Sequence, residues 1–183
     1  MTPSMTPEDV LAWWFAPETK AEWFAGGEAF DAAVRGRLGP LFARAARGEL
    51  DGWAVEPCGL LALVILLDQV PRNIFRGTPR AFEGDARALA LARLAVDRGL
   101  DRGFSVDERL FLYLPFEHAE DLADQERSVA LFRALGDADY LDYAIRHLAV
   151  IERFGRFPHR NAILGRASTA AELAFLEEPG SSF

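Results

Sequence analysis

The chain has 183 residues, of which 50% are hydrophobic and 26% are charged, with a formal net charge of −8. This composition is sufficient for one well-packed domain and excludes a disordered chain. The negative charge argues against nucleic acid and membrane surfaces as partners, and the single cysteine excludes a disulfide framework.

The first 50 residues predict two helices. No basic or apolar leader precedes Thr6-Pro7-Glu8-Asp9, so we expect no signal peptide, disorder in residues 1–5 and a cytoplasmic location. Thr6 is a typical N-cap and Pro7 a typical first helical residue, and the helix is expected to reach Phe15. A second helix is predicted over Glu28 to Arg47, broken or kinked at Gly39-Pro40.

The most apolar segment predicts a buried core helix. It begins at Pro57 and is expected to end near Gln69, before Pro71. Only residues 57–67 are uncharged between Glu56 and Asp68, whereas a membrane-spanning helix needs about 17–25 apolar residues. We therefore expect this helix inside the fold and not in a membrane.

The C-terminal half also contains helix start and stop signals. Capping boxes at Ser105 and Thr169 mark two helix starts, and Pro115 is expected to interrupt or kink the helix that begins at Ser105. No alternating strand pattern is present, so we predict an all-α fold of eight or nine helices in one compact domain spanning 1–183. The remaining predicted helices are Gly84–Arg98, Glu117–Leu135 and Ala138–Phe154.

Polar residues interrupt the apolar face of the predicted helix 117–135. Its core stripe contains Val129 and Phe132, and at 100° per residue the same stripe includes His118, Asp121 and Gln125. A carboxylate beside an imidazole orients it for general acid–base catalysis, so His118 and Asp121 are candidate catalytic residues; the alternative is a structural contact between helices. Three acidic residues outside this stripe are expected to be exposed to solvent: Glu117, Glu120 and Asp124.

Three further features leave a choice between a site and a structural role. His147 lies among apolar positions and is expected to be a buried, hydrogen-bonded histidine. Asp68 and Arg72 could line a ligand pocket or form a buried ion pair. The turn 155–161 contains Arg156, His159 and Arg160, and it could hold an anion or serve as a rigid connector.

Several site classes have no sequence support. The chain contains no His-Glu-x-x-His, no Gly-x-Ser-x-Gly and no phosphate-binding glycine loop. We therefore predict neither a metal nor a cofactor.

Three blocks together resemble a known bacterial family. They are Leu67-Asp68-Gln69-Val70-Pro71-Arg72-Asn73-Ile74-Phe75-Arg76-Gly77-Thr78, Leu110-Phe111-Leu112-Tyr113-Leu114-Pro115-Phe116-Glu117-His118-Ala119-Glu120-Asp121 and Phe154-Gly155-Arg156-Phe157-Pro158-His159-Arg160-Asn161. With the C-terminal segment 175–183, they resemble the bacterial domain of unknown function 924 family. The resemblance implies a tetratricopeptide-like helical fold and transfers no catalytic residue.

The leading functional hypothesis is a soluble helical protein that binds a small anionic or zwitterionic molecule, or a peptide end. Arginine and histidine donors suit such a ligand. The alternatives are a small-molecule enzyme that uses His118 and Asp121, and a structural interaction module. The predicted ligand-binding residues are Asp68, Arg72, Asn73, Gln125, Arg156, His159, Arg160 and Asn161.

Overall fold

The computed structural model describes residues 5–182, and over this range the chain contains helices and no strand. The all-α prediction is therefore confirmed, whereas the disorder expected for residues 1–5 concerns residues that lie, except Met5, outside the described range. The α-helices are α1 (Pro7–Trp14), α2 (Pro17–Lys20), α3 (Glu28–Ala46), α4 (Pro57–Ile74), α5 (Asp85–Asp97), α6 (Val106–Glu117), α7 (Leu122–Leu135), α8 (Ala138–Phe154) and α9 (Ala170–Leu176). Short 3-10 helices cover Asp51–Val55, Pro79–Phe82, Leu100–Gly103 and Pro158–Arg160.

The described residues form two compact units. Unit 1 runs to Arg76 and resumes over Arg80–Pro115, and unit 2 comprises Gly77–Pro79 and the chain from Phe116 onward. Successive helices pack on one another within each unit: α3 on α4 and α4 on α5 in unit 1, and α7 on α8 in unit 2. The single domain and the tetratricopeptide-like arrangement remain predictions.

The predicted caps form as hydrogen-bonded structures. The Thr6 hydroxyl accepts the Asp9 N–H while the Asp9 carboxylate accepts the Thr6 N–H, and Thr169 does the same with Glu172. Each pair satisfies two N–H groups that a helix start leaves without an intrahelical acceptor. These local signals fix the beginnings of α1 and α9.

Three prolines lie inside helices, so the helix end predicted before Pro71 is wrong, and of the break or kink predicted at Pro40 and at Pro115 the break is excluded. Pro40 lies within α3, Pro71 within α4 and Pro115 within α6. A proline removes only one helical hydrogen bond and can be accommodated by a bend when neighbouring elements stabilise both halves of the helix. As a result, α4 extends to Ile74, and Arg72 and Asn73 lie on the helix and not beyond its end.

Pro71 also explains a close helix contact in unit 1. In a regular helix the Leu67 carbonyl would accept the N–H of residue 71, which proline lacks. This carbonyl oxygen instead lies against Gly84, where a Cβ atom would overlap it. Gly84 is therefore required because α5 begins directly against α4 at this point.

α4 is the core of unit 1, as predicted. It is long and apolar enough to span a membrane by length and composition, but 83% of it is buried inside the fold. Leu61, Val64 and Ile65 are completely buried. Aromatic residues from α1 and α6 extend this core, with the ring centroids of Trp14 and Phe111 5.4 Å apart in an edge-on arrangement.

In unit 2 the predicted helix 117–135 is interrupted. α6 ends at Glu117 and α7 begins at Leu122, because the Asp121 side chain accepts the Asp124 N–H as an N-cap. The side-chain amide of Gln125 donates to the carbonyls of Glu117 (2.6 Å) and Ala119 (2.8 Å). These main-chain carbonyls between α6 and α7 thus have hydrogen-bond partners although the segment is not helical. The face predicted to join His118 with Asp121 does not exist.

Substitution of Gly84 by alanine tests the close contact with α4. Gly84→Ala should lower the free energy of unfolding by about 1–3 kcal/mol, because the new methyl group displaces the Leu67 carbonyl or the start of α5. Gly36→Ala is the matched control: Gly36 lies inside α3 with open space at its Cβ position, so this change should be neutral or stabilising. Urea denaturation measures both, and equal stability of the two variants would contradict the contact.

Candidate functional site

In unit 1, Asp68 and Arg72 belong to a paired network. Asp68 is fully buried, and its carboxylate lies 3.3 Å from the Arg72 guanidinium. Arg72 also makes a bidentate pair with Asp85, at 2.7 and 2.9 Å, and donates to the Asp68 carbonyl. Two carboxylates flank one guanidinium and keep its pKa above its ordinary value in spite of burial. This geometry corresponds to the ion-pair alternative for these two residues.

Asn73 has a structural position on the same helix. Its amide donates to the Gln69 carbonyl at 3.1 Å, one turn earlier in α4. Arg76, just after the end of α4, forms two 2.9 Å hydrogen bonds to Asp31, which connect this segment to α3. The polar end of α4 thus connects helices within unit 1.

In unit 2, two predicted ligand-binding residues are engaged in local structure. Arg156 makes a bidentate pair with Glu172, at 2.6 and 2.9 Å, and this pair lowers the pKa of Glu172 to about 2. Asn161 is completely buried, donates to the Ser168 hydroxyl and accepts from Arg166. These contacts attach the segment after α8 to α9.

A second bidentate pair fixes the position of Phe157. The Glu120 carboxylate accepts two hydrogen bonds from Arg166, at 2.6 and 2.8 Å, and one from the Phe157 N–H at 2.8 Å. Arg166 also donates to the Phe157 carbonyl. Burial alone would raise the pKa of Glu120, but these donors and the positive charge of Arg166 hold it below its ordinary value.

Basic and imidazole side chains surround the Phe157 ring, which is completely buried. The ring centroid lies 4.5 Å from the Arg160 guanidinium carbon, 5.5 Å from the His147 ring and 5.7 Å from the His159 ring. Arg160 also donates to the His118 carbonyl at 3.0 Å. We call this group the Phe157 cluster: His118, His147, Phe157, His159 and Arg160.

The histidines of this cluster differ in access to solvent. His147 is 4% exposed, as predicted, and its Nδ1 donates to the Tyr143 carbonyl at 2.8 Å. His118 and His159 are half-buried. His118 and His159 are therefore partly exposed to solvent, although the Nδ1 atom of His159 is buried.

Burial keeps two of these rings neutral. Burial lowers the pKa of His147 to about 3, although its hydrogen bond to the Tyr143 carbonyl acts in the opposite direction. Burial and the positive charge of Arg160 lower the pKa of His159 to about 4, while Glu120 opposes this change. At neutral pH both rings are uncharged, and a neutral imidazole can donate and accept one hydrogen bond each.

The structure thus brings two predicted site residues, His159 and Arg160, to the Phe157 ring, and Arg160 connects them to the main chain of a third, His118. Asp121, Gln125, Arg156 and Asn161 have the structural contacts described above. Asp68, Arg72 and Asn73 belong to unit 1, and a role of any of these residues in catalysis or ligand binding stays a prediction.

The acidic residues near this cluster are more buried than their helical periodicity predicts. Glu117 and Asp124, expected in water, are each only 4% exposed, and Glu120 is half-buried against Arg166. Helical periodicity assigned them to a solvated face because it assumed an unbroken helix from residue 117. The spacing of Asp121 and Asp124, typical of an N-cap, is the signal that marks the true start of α7.

The described residues contain no group of three or more His, Cys, Asp or Glu side chains arranged to hold a metal ion.

Buried His147 should make stability depend on pH. The unfolded chain takes up a proton below about pH 6.5, whereas folded His147 stays neutral to about pH 3, so its stabilisation is complete above pH 6.5 and is lost as the pH falls. Between pH 7 and pH 5 this histidine should cost about 2 kcal/mol of unfolding free energy. His147→Gln should reduce the pH-dependent loss by that amount in urea denaturation at both pH values. An unchanged pH dependence in the variant would contradict a neutral, buried His147.

The comparisons with known proteins agree with the resemblance found in the sequence. The family described as "Bacterial protein of unknown function (DUF924)" matches residues 10–180. A solved structure of a protein of unknown function from Agrobacterium tumefaciens is 44% identical, with a TM-score of 0.87, and the match covers 93% of this chain and 96% of that one. No curated protein matches the chain. The chain therefore belongs to the DUF924 family of bacterial proteins of unknown function.

Proposed function

We propose that this chain is a helical binding protein whose Phe157 cluster takes a small molecule carrying a carboxylate or phosphate group. His118, His159 and Arg160 are the proposed contacts. The observation that carries the proposal is the position of the Arg160 guanidinium, which is held on the Phe157 ring beside the half-buried His159 imidazole and donates to the main chain of the half-buried His118. A preorganised donor set loses little conformational entropy on binding.

The local electrostatic potential supports an anionic ligand. Arg160 lowers the pKa of His159 more than Glu120 raises it, which indicates a net positive potential at that ring. An anion would be attracted to this position, and arginine and neutral imidazole N–H groups would donate to its oxygens. Arg156 is ion-paired with Glu172, and Arg166 with Glu120. These two arginines contribute positive charge and rigidity, but they are less suited to direct contact with the ligand.

Two sources share this chemistry, a free small molecule and the C-terminal carboxylate of a peptide. Thermal denaturation in the presence of malonate, inorganic phosphate and an N-acetylated tripeptide distinguishes them. We expect at least one of these probes to raise the melting temperature in a saturable manner. Stabilisation by malonate or phosphate would identify a free small molecule as the ligand, and stabilisation by the tripeptide alone would identify a peptide C-terminus.

Arg160→Lys tests the site directly. Lysine keeps the charge but loses the planar fork that contacts both Phe157 and the His118 carbonyl, so affinity for the stabilising probe should fall about tenfold by isothermal titration calorimetry. Arg133→Lys, an exposed position on α7, is the matched control and should bind like the wild type. No stabilising probe, or equal affinity of the two variants, would overturn the proposal.

A further inference from the structure

All three histidines of the chain belong to the Phe157 cluster. The rings of His147 and His159 lie 5.5 and 5.7 Å from the Phe157 ring, and the charge of His118 acts on both of these imidazoles. Histidine is the only side chain whose ordinary pKa lies between about pH 5 and pH 8. The side chains best suited to take up a proton just below neutral pH are therefore gathered in one place.

His159 is the histidine best placed to take up a proton when an anion binds. Its ring is half-buried, whereas His147 is 4% exposed, and Arg160 contacts His118 through the main-chain carbonyl of that residue. Arg160 follows His159 directly in the chain, and both side chains lie against the Phe157 ring. An anion held by Arg160 would therefore lie beside the His159 imidazole.

The charged and titratable groups around His159 come from four segments of unit 2. They are Arg160 in its own segment, His118 and Glu120 between α6 and α7, His147 in α8 and Arg166 before α9. Glu120 and Arg166 form a bidentate pair and offset one another, while Arg160 adds a further positive charge. Together with burial, this charge keeps the His159 ring neutral at pH 7, with a pKa of about 4.

A bound anion acts on the imidazole in the opposite direction. A negative charge within about 4–6 Å stabilises the protonated form of the ring and raises its pKa. Coupling between two binding events is reciprocal, so a proton on His159 raises the affinity for the anion by the same factor. The imidazolium also donates from both ring nitrogens, whereas the neutral imidazole donates from one.

We propose that the Phe157 cluster binds its anion together with a proton from solvent, which His159 takes up. The proton adds to the ring nitrogen that carries none in the neutral imidazole, and the anion is then held by an imidazolium and a guanidinium. This inference rests on the proposed function and adds its regulation: the affinity for the anion increases as the pH falls from 7 to 5.

Isothermal titration calorimetry with sulfate tests the coupling, because sulfate keeps the same charge between pH 5 and pH 7. The affinity should rise roughly three- to tenfold from pH 7 to pH 5, and buffers of different ionisation enthalpy should give different heats at pH 5 because a proton is taken up. Saturable binding of equal affinity at both pH values would overturn the coupling but not the proposed function. Absence of saturable binding at either pH would overturn both.

Two substitutions assign the proton to His159. In His159→Gln the side chain stays polar but cannot be charged, so the affinity for sulfate should change less than twofold between pH 7 and pH 5. Glu126→Gln removes an exposed titratable group of α7 and should retain the pH dependence of the wild type, which excludes a general effect of net charge. A pH dependence like that of the wild type in His159→Gln would overturn the assignment.

The titration of His159 itself gives a second readout in the unchanged protein. In ¹H–¹⁵N NMR spectra of the imidazole nitrogens, saturating sulfate should move the midpoint of the His159 titration to higher pH. A midpoint that stays the same with and without sulfate would overturn the proposal, whether or not the variants fold.

Discussion

Charged groups that leave water must find partners inside the fold, and both units of this protein are organised around this requirement. In unit 1 the buried Asp68 is compensated by Arg72, which Asp85 also holds. In unit 2 Glu120 and Arg166 form a bidentate pair that fixes the main chain at Phe157. Removing one member of such a pair leaves the other without compensation, which costs far more than the pair contributes over apolar residues.

This pairing separates structural residues from candidate ligand contacts within the family's characteristic sequence blocks. Arg72 and Arg156 each hold a carboxylate with two donors, so their geometry is accounted for by the fold. Arg160 donates to the His118 carbonyl, lies over the Phe157 ring and contributes positive charge at Glu120. The proposed binding site therefore depends on a smaller set of residues than the blocks themselves contain.

Local signals in the sequence predicted much of the helical structure. The span Ala138–Phe154 agrees with α8, because Asp137 caps its start and Gly155 adopts the left-handed conformation at its end. Burial of α4 and of His147 followed from apolar periodicity. These features depend on residues within one or two helical turns, which a sequence displays directly.

The features that sequence reasoning missed depend on contacts between distant residues. Whether Pro71 ends a helix depends on the packing around α4, and the open Leu67 carbonyl has space only because residue 84 is glycine. The burial of Glu120 depends on Arg166, 46 residues away in the chain. Periodicity within a single helix contains no information about such partners, so the acids near residue 120 were assigned to solvent.

The most direct test of the proposed binding site follows the side-chain nitrogens of all three histidines by ¹H–¹⁵N NMR during titration with malonate or inorganic phosphate. Our account predicts saturable changes at His118 and His159, which are half-buried, and none at the buried His147, which serves as an internal reference. Unchanged signals from His118 and His159 throughout both titrations would contradict it.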